Sequence, residues 1–283
     1  MKTGGIFIKK ASISKKRKIF YIVLLSLALV LAVLMIFSNT YIDVENITFK
    51  SPDIPKNFDG AKIVLLSDYH NQGENFCDRI IKITEEADPD YIFITGDIVD
   101  RIRTDTDKAD IFLKKVSEIA PCYLVWGNHD KNVPREDFER LKSSAENYGI
   151  TILDGTTVRL YKGDEFVSLT GNYYYYDYPP CDADFNIWLN HFPENFEPIT
   201  EQTKKDGNQM DLMFSGHAHG GIIRLPFVGG VIGHNGLFPD YTSGLCEYDN
   251  SYMIVSRGLG NSGNVPRVSS TLHIVICELQ REE

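Results

Sequence analysis

Apolar residues follow two distinct patterns along this chain. Ile19 to Phe37 is an uninterrupted run of 19 residues, with Ser26 as its one clearly polar member. As a helix rising about 1.5 Å per residue it would reach roughly 28 Å, close to the ~30 Å hydrocarbon core of a bilayer. Nothing polar marks a solvent face, so a buried core helix is not expected. A secretory signal has an apolar region of only about 7–15 residues and a small-residue cleavage site. Phe37-Ser38-Asn39-Thr40 is a poor cleavage sequence, so a retained anchor is expected.

Beyond the anchor the apolar runs are short. Lys62 to Ser67, Tyr91 to Thr95 and Cys122 to Trp126 are nearly continuous hydrophobic runs, the pattern of strands covered on both faces. Helical periodicity lies between and after them, at Phe76 to Glu86, Asp107 to Ile119 and Pro134 to Tyr148. Pro134 suits a first helical position, and Gly149 the residue just past the end. Strand and helix alternating in this way predict a mostly parallel sheet with right-handed crossovers. From about residue 150 the runs become shorter and are punctuated by turns. Thr151–Leu153, Thr157–Tyr161 and Glu165–Thr170 are separated by Asp154-Gly155 and Lys162-Gly163-Asp164, which read as hairpin connections. Asn186–Asn190, Asp211–Ser215, Ser251–Ser256 and Thr271–Leu279 complete the set. Residues 41–283 are expected to form one α/β domain on two sheets.

Charge changes this picture in one respect. The net charge is −10, but residues 1–18 carry seven cations and no acid, leaving 22 cations against 39 anions in the rest. The basic flank, followed after the apolar run by Asp43 and Glu45, places the N-terminus in the cytoplasm and the body outside by the positive-inside rule. The expected division is a basic cytoplasmic tail at 1–18 and an anchor at 19–37. A stalk with the first strand follows at 38–60, and then a catalytic domain at 61–283. A body this acidic has no basic face for nucleic acid, so no nucleic-acid partner is expected. Any anionic substrate must be held locally, as metal ions would hold it. Five scattered cysteines without a CxxC pair give neither a disulfide framework nor a zinc cluster.

The chemistry is concentrated where strands should end. Successive runs lead directly into Asp68-Tyr69-His70, Gly96-Asp97, Gly127-Asn128-His129-Asp130, His191 and Gly216-His217-Ala218-His219. Ligands of α/β sheets bind beyond the carboxyl ends of strands, so these residues should converge. In an extended chain the x of D-x-H and H-x-H would turn Asp68 with His70, and His217 with His219, towards one point. Five of the seven histidines fall in these blocks; His234 and His273 do not, and read as ordinary core or surface residues. Two carboxylates, four imidazoles and an amide, with His129 to spare, exceed one four-coordinate zinc site. The set suits two divalent cations sharing a carboxylate, with Mn, Fe or Zn favoured over Ca.

In order, these blocks resemble the five-block signature of the calcineurin-like metallophosphoesterases, over about residues 44–279. Gly220-Gly221, Arg224-Leu225-Pro226 and Ser256-Arg257-Gly258-Leu259-Gly260 are similar to the membrane-anchored bacterial branch. Ile222-Ile223 departs from relatives that carry a Gln or similar polar residue there. The resemblance implies a four-layer α-β-β-α sandwich of two mixed sheets behind the N-terminal transmembrane helix. It also implies that Asp68, His70, Asp97 and His219 hold one metal, and Asp97, Asn128, His191 and His217 the second. A hydroxide between the metals would then attack a phosphate ester in line. His129 would hydrogen-bond the phosphate or protonate the leaving oxygen, oriented by Asp130, with Asp100 behind them or only a solvated turn acid. Asn71, Tyr173 and Tyr174 are candidate substrate contacts, although Asn71 also suits an Asx turn. The natural substrate, a phosphorylated small molecule or lipid, stays open among monoester, diester and pyrophosphate, as does the oligomeric state. A pyrophosphatase of a lipid-linked nucleotide such as UDP-2,3-diacylglucosamine, or a non-catalytic metal-binding membrane protein, are the alternatives. A membrane assembly protein acting through its helix is disfavoured by the lack of a GxxxG motif.

Overall fold

A computed structural model describes residues 14–173, 183–225, 227–233, 236–263 and 265–282, and in it the short apolar runs form strands. The first half contains α1 (Lys15–Thr40), β1 (Ile42–Ser51), β2 (Lys62–Leu66), α2 (Glu74–Ala87), β3 (Tyr91–Ile94) and α3 (Thr106–Ser117). It continues with β4 (Cys122–Leu124), α4 (Asn128–Lys131), α5 (Arg135–Asn147) and β5 (Thr151–Ile152). The second half holds β6 (Thr156–Lys162), β7 (Glu165–Gly171), β8 (Asn186–Leu189), α6 (Phe196–Lys205) and β9 (Leu212–Ser215). Then follow β10 (Ile223–Leu225), β11 (Gly229–Gly233), β12 (Gly236–Leu237), β13 (Gly244–Tyr248), β14 (Ser251–Val255) and β15 (Leu272–Arg281).

Two six-stranded mixed sheets result, in the orders β1-β15-β2-β3-β4-β5 and β13-β14-β9-β8-β7-β6. Period-two alternation sends successive residues of one strand to opposite faces. Ile63, Leu65 and Phe93 therefore meet Ile187, Leu189 and Phe214 in a core between the sheets. Val64, Leu66, Ile92 and Ile94 pack outward under Ile80 of α2, Phe112 of α3 and Leu141 of α5. On the far side Trp188, Met213 and Val255 are covered by Phe196 and Ile199 of α6. Helices, sheet, sheet and helix make the four layers that the family resemblance implies. Truncating the central Phe93, fully buried against Phe214 with ring centroids 5.2 Å apart, is expected to cost about 3–5 kcal/mol. Urea unfolding of Phe93→Ala against wild type measures it.

Two features differ from expectation. The stretch after Gly221 shows no alternating strand pattern, yet it carries a small antiparallel sheet, β10-β11-β12. Glycines at 229, 230, 233 and 236 interrupt the alternation by which strands are recognised. Pro134 is the residue before α5 instead of its first helical residue.

α1 enlarges on the apolar run, reaching Thr40 and meeting β1 through Tyr41 alone. Its C-terminal end is fixed to the domain. Asn39 Oδ1 accepts from Asn261 Nδ2 at 2.6 Å and from the Arg267 N–H at 3.2 Å. The Ser269 N–H donates to Ser38 Oγ at 2.8 Å.

Candidate metal centre

The C-terminal ends of β2, β3, β8 and β9, with the loop after β4, deliver the strand-end residues to one rim. Asp68 follows β2, Asp97 follows β3, Asn128 and His129 open α4, His191 follows β8, and His217 and His219 follow β9. The extended alternation expected for D-x-H and H-x-H is absent. Asp68 (φ 51°), His70 (φ 45°), Asp97 (φ 51°), His217 (φ 64°) and His219 (φ 49°) all lie in the left-handed region. These three blocks thus turn sharply at their candidate ligand residues, a strained conformation that persists only where surrounding bonds fix it. Those bonds run between blocks: Asp68 N–H to Gly96 O at 2.9 Å, His70 N–H to Asp97 O at 3.1 Å, and His217 N–H to the Asp68 carboxylate at 3.1 Å.

Glycine is needed for close approach at two places. A Cβ on Gly127 would fall 2.1 Å from Asp97 Oδ1, and one on Gly216 only 1.8 Å from Ser67 Oγ. Any side chain there would push the blocks apart.

The polar tips then face one another in two groups around Asp97. In the first, His219 Nε2 lies 3.3 Å from His70 Nε2 and 3.5 Å from Asp68 Oδ1, and His70 Nε2 lies 3.7 Å from Asp97 Oδ2. In the second, His191 Nε2 lies 3.4 Å from Asp97 Oδ2, 3.1 Å from Asn128 Oδ1 and 3.2 Å from His217 Nδ1. Ligand atoms about 2.0–2.2 Å from a shared cation sit roughly 3–3.5 Å from one another. Facing ring nitrogens at that separation, ringed by carboxylates, fit a cation better than they fit each other. Asp68-His70-His219, Asp97-His191-His217 and His70-Asp97-His129 can each hold a metal ion. Asp68, His70, Asp97 and His191 are buried, while Asn128 and His217 are only partly buried, so the second group is the open side.

Electrostatics follow from that burial. Burial raises Asp68 to about 6 and lowers His70 to about 4, leaving the imidazole neutral and ready to coordinate. For His191 burial opposes charge, but Asp97 beside it prevails and raises the ring to about 9. Burial also pushes Asp97 upward, yet His191 outweighs it and the carboxyl ends below its ordinary value. His191 Nδ1–H donates to Thr95 O at 2.7 Å, which aims Nε2 at the other ligands. A cation held by this group would have to displace the second proton, so apparent metal affinity is expected to rise up to tenfold per pH unit from pH 7 towards about 9, then level off. The raised His191 pKa stabilises the metal-free fold fully below about pH 6.5, and that contribution is lost as pH rises through about 9. Titration calorimetry with Mn²⁺ or Zn²⁺ across this range checks the slope, and a flat profile would remove His191 from the ligand set.

Other expected residues are placed differently. The His129 ring is not oriented by Asp130. The Asp130 carboxylate accepts from the N–H groups of Ile98 (2.9 Å), Val99 (3.1 Å) and Gly127 (3.0 Å), tying two loops together and capping α4. His129 is instead held by the Arg101 N–H on Nδ1 at 3.1 Å, with Ser262 Oγ facing Nε2 at 3.1 Å. Asp100 is buried and accepts from the N–H groups of Ile102 and Gly263 beside that ring. Asn71 donates to Arg103 O, and Tyr173 packs edge-on against Phe192 with ring centroids 5.3 Å apart. Phe192 in turn contacts His191 and His217, so Tyr173 stands one ring away from the ligands. Tyr174 lies outside the described residues.

Sequence reasoning did not single out Arg267. Fully buried, it donates from Nη2 to His219 Nδ1 at 2.9 Å, and also to the carbonyls of Arg257 and Gly260. It lies 48 residues from His219, too far for any local pattern to reveal. Ser67, whose hydroxyl donates to Asp68 Oδ2 at 2.7 Å, was equally silent.

Beside the open group lies a cleft of about 470 Å³, bordered by His217, Glu194, Glu197, Leu237, Phe238 and Tyr241 among others.

Comparison with known proteins agrees with this geometry. A family model described as calcineurin-like phosphoesterase matches residues 61–221. The metallophosphoesterase YkuE of Bacillus subtilis is 28% identical over 230 residues, covering 75% of this chain and 77% of that protein. A second B. subtilis metallophosphoesterase, YkoQ, is 27% identical over 88% of this chain and 96% of its own. The phosphodiesterase YaeI of Escherichia coli is 28% identical over 71% of this chain and 75% of its own. With the family model covering more than half its length, the chain belongs to the calcineurin-like phosphoesterases, a family of metal-dependent phosphoric ester hydrolases.

Proposed function

We propose that this protein is a membrane-anchored phosphoesterase that uses two divalent cations, with Mn, Fe or Zn as the candidates. Asp68, His70, Asp97 and His219 would hold one cation, and Asp97, Asn128, His191 and His217 the other, with Asp97 shared. The observation carrying this reading is the convergence of the other six residues on two sides of the buried Asp97 carboxylate. When bound, the cations supply an activated water nucleophile and neutralise the phosphoryl oxygens. The chain's own groups orient the ester. The Arg101 N–H occupies His129 Nδ1, so the neutral ring carries its proton on Nε2, where it can donate to a phosphoryl or leaving oxygen. Burial lowers the His129 pKa and keeps that neutral form at neutral pH. Asp130 serves as a positioning residue that holds the 97–99 and 127–130 turns together, and Asn71 and Tyr173 border the substrate region.

The anchor reading rests on α1, whose best 18-residue window has a mean hydropathy of 3.1 and is unburied by the rest of the protein. The basic N-terminal flank sets its tail in the cytoplasm and the metal centre outside. A diester is the first substrate class to test, because one relative bears the name phosphodiesterase. Full-length protein in detergent, loaded in turn with Mn²⁺, Zn²⁺ and Fe²⁺, should hydrolyse an aryl phosphodiester or phosphomonoester. Chelation should lower the rate at least about 100-fold, with recovery on adding metal back. Inertness towards every ester with every metal would overturn the reading.

A further inference from the structure

Residues 261–263 and 265–270 meet three parts of the protein. They bond the end of α1 through Asn39 and Ser38. They reach the metal centre through Ser262 on His129 and Arg267 on His219. They also pair with β10, since Val268 bridges Ile223 and its carbonyl accepts the Arg224 N–H at 3.0 Å. The small β10-β11-β12 sheet is therefore held beside the last turn of α1. Ser269, bonded to that turn, lines one hollow with Leu225, Phe227 and Val228.

This small sheet is unusually apolar on its outside. Phe227 is fully exposed, Leu237 is 71% and Phe238 62% exposed, and Leu225 and Val228 are about half exposed. Val265 of the connecting loop is exposed as well. Exposed apolar side chains concentrated on one small sheet and its connecting turn mark a surface that meets something other than water. Nearby, Arg101, Ile102 and Arg103 are all exposed, and Ile102 lies against Gly263 of the same loop. Two cations flanking an isoleucine stand out on an acidic body, and they suit anionic headgroups. Leu237 and Phe238 also wall the cleft at His217, so the apolar surface runs into the metal centre.

We propose that the β10-β11-β12 sheet is a bilayer-docking surface. Leu225, Phe227, Val228, Leu237 and Phe238 enter the interfacial region of the membrane that α1 spans, with Arg101 and Arg103 on its headgroups. The metal-centre cleft is thereby pressed to the lipid surface, and its substrate class is a phosphate ester borne by a lipid. The inference rests on the reading of α1 as a membrane span. It draws support from the direct α1–β1 junction, which leaves no tether to lift the domain away.

The test uses full-length protein in phosphatidylcholine–phosphatidylglycerol vesicles whose acyl chains are brominated near the headgroup. Tryptophan reporters are introduced singly as Phe227→Trp, Leu237→Trp, Tyr161→Trp and Tyr21→Trp, with signal from the buried Trp126 and Trp188 subtracted. Side chains seated about 5–10 Å into the interface should lose roughly half their emission or more, as expected for Phe227→Trp and Leu237→Trp. Tyr161→Trp, at the opposite end of the sheets opposite Phe166, should stay unquenched. Quenching at Tyr21→Trp without quenching at 227 and 237 would overturn the docking surface and leave the anchor standing. No quenching at Tyr21→Trp would overturn the anchor, and the docking surface with it. Reporters at 227 and 237 shielded from both bromolipid and aqueous iodide would make the surface a protein interface, again overturning the inference.

Discussion

Asp97→Asn is expected to lose bound metal and hydrolysis together, with turnover falling at least about 10³-fold. One Asp97 oxygen faces both His70 and His191, at 3.7 and 3.4 Å. The other accepts the His129 N–H at 2.7 Å. Asparagine preserves the shape and removes the charge that both cation groups share. It also removes the partner that holds the His191 proton, so the two groups fail together and not singly. Elemental analysis beside an aryl phosphodiester assay decides it. Wild-type metal content with intact turnover would mean that Asp97 is not the shared ligand.

His129→Ala is expected to separate the two readouts. Metal content should stay near wild type while turnover falls by about 10²–10⁴-fold. His129 Nε2 faces Ser262 Oγ at 3.1 Å, and because the Arg101 N–H occupies Nδ1, Nε2 is the nitrogen left to donate to substrate. The opposing possibility is concrete, since His129 also lies with His70 and Asp97 in a group able to hold a cation. Equal loss of metal in the two variants would make His129 a ligand and remove its proposed part in orienting the ester. Fidelity of the fold can be read separately. His129→Ala leaves the Asp130 clamp on Ile98, Val99 and Gly127 in place, so the metal-free protein should stay folded with only a modest fall in melting temperature from the lost Arg101 N–H bond.

The fold was legible wherever the pattern was periodic. Ile63 to Leu66, Tyr91 to Ile94 and Asn186 to Leu189 are covered on both faces, and unbroken apolar runs report that directly. The rim was legible for a related reason. Chemistry placed immediately after each strand needs no knowledge of loops to be brought together, because the sheets do the gathering. Illegible parts depended on bonds between distant segments. Arg267 contacts His219 across 48 residues, and Asp130 sits beside His129 in the chain while its carboxylate faces the backbone of residues 98 and 99. The β10-β11-β12 sheet was hidden by its glycines, which supply no side chain to alternate.

The left-handed backbone at Asp68, His70, Asp97, His217 and His219 has a consequence for which residues can ever occupy the rim. Short polar and imidazole side chains are the ones that tolerate that conformation best after glycine, whereas branched aliphatics are nearly excluded. The same few amino acids are also the ones that bind hard and borderline cations. Conformation and coordination thus impose one shared vocabulary on these positions. A lineage shedding catalysis would slide most easily from aspartate or histidine to asparagine, keeping its silhouette while losing its charge. Intact shape at this rim is therefore no proof of a working enzyme; the identity of each side chain is.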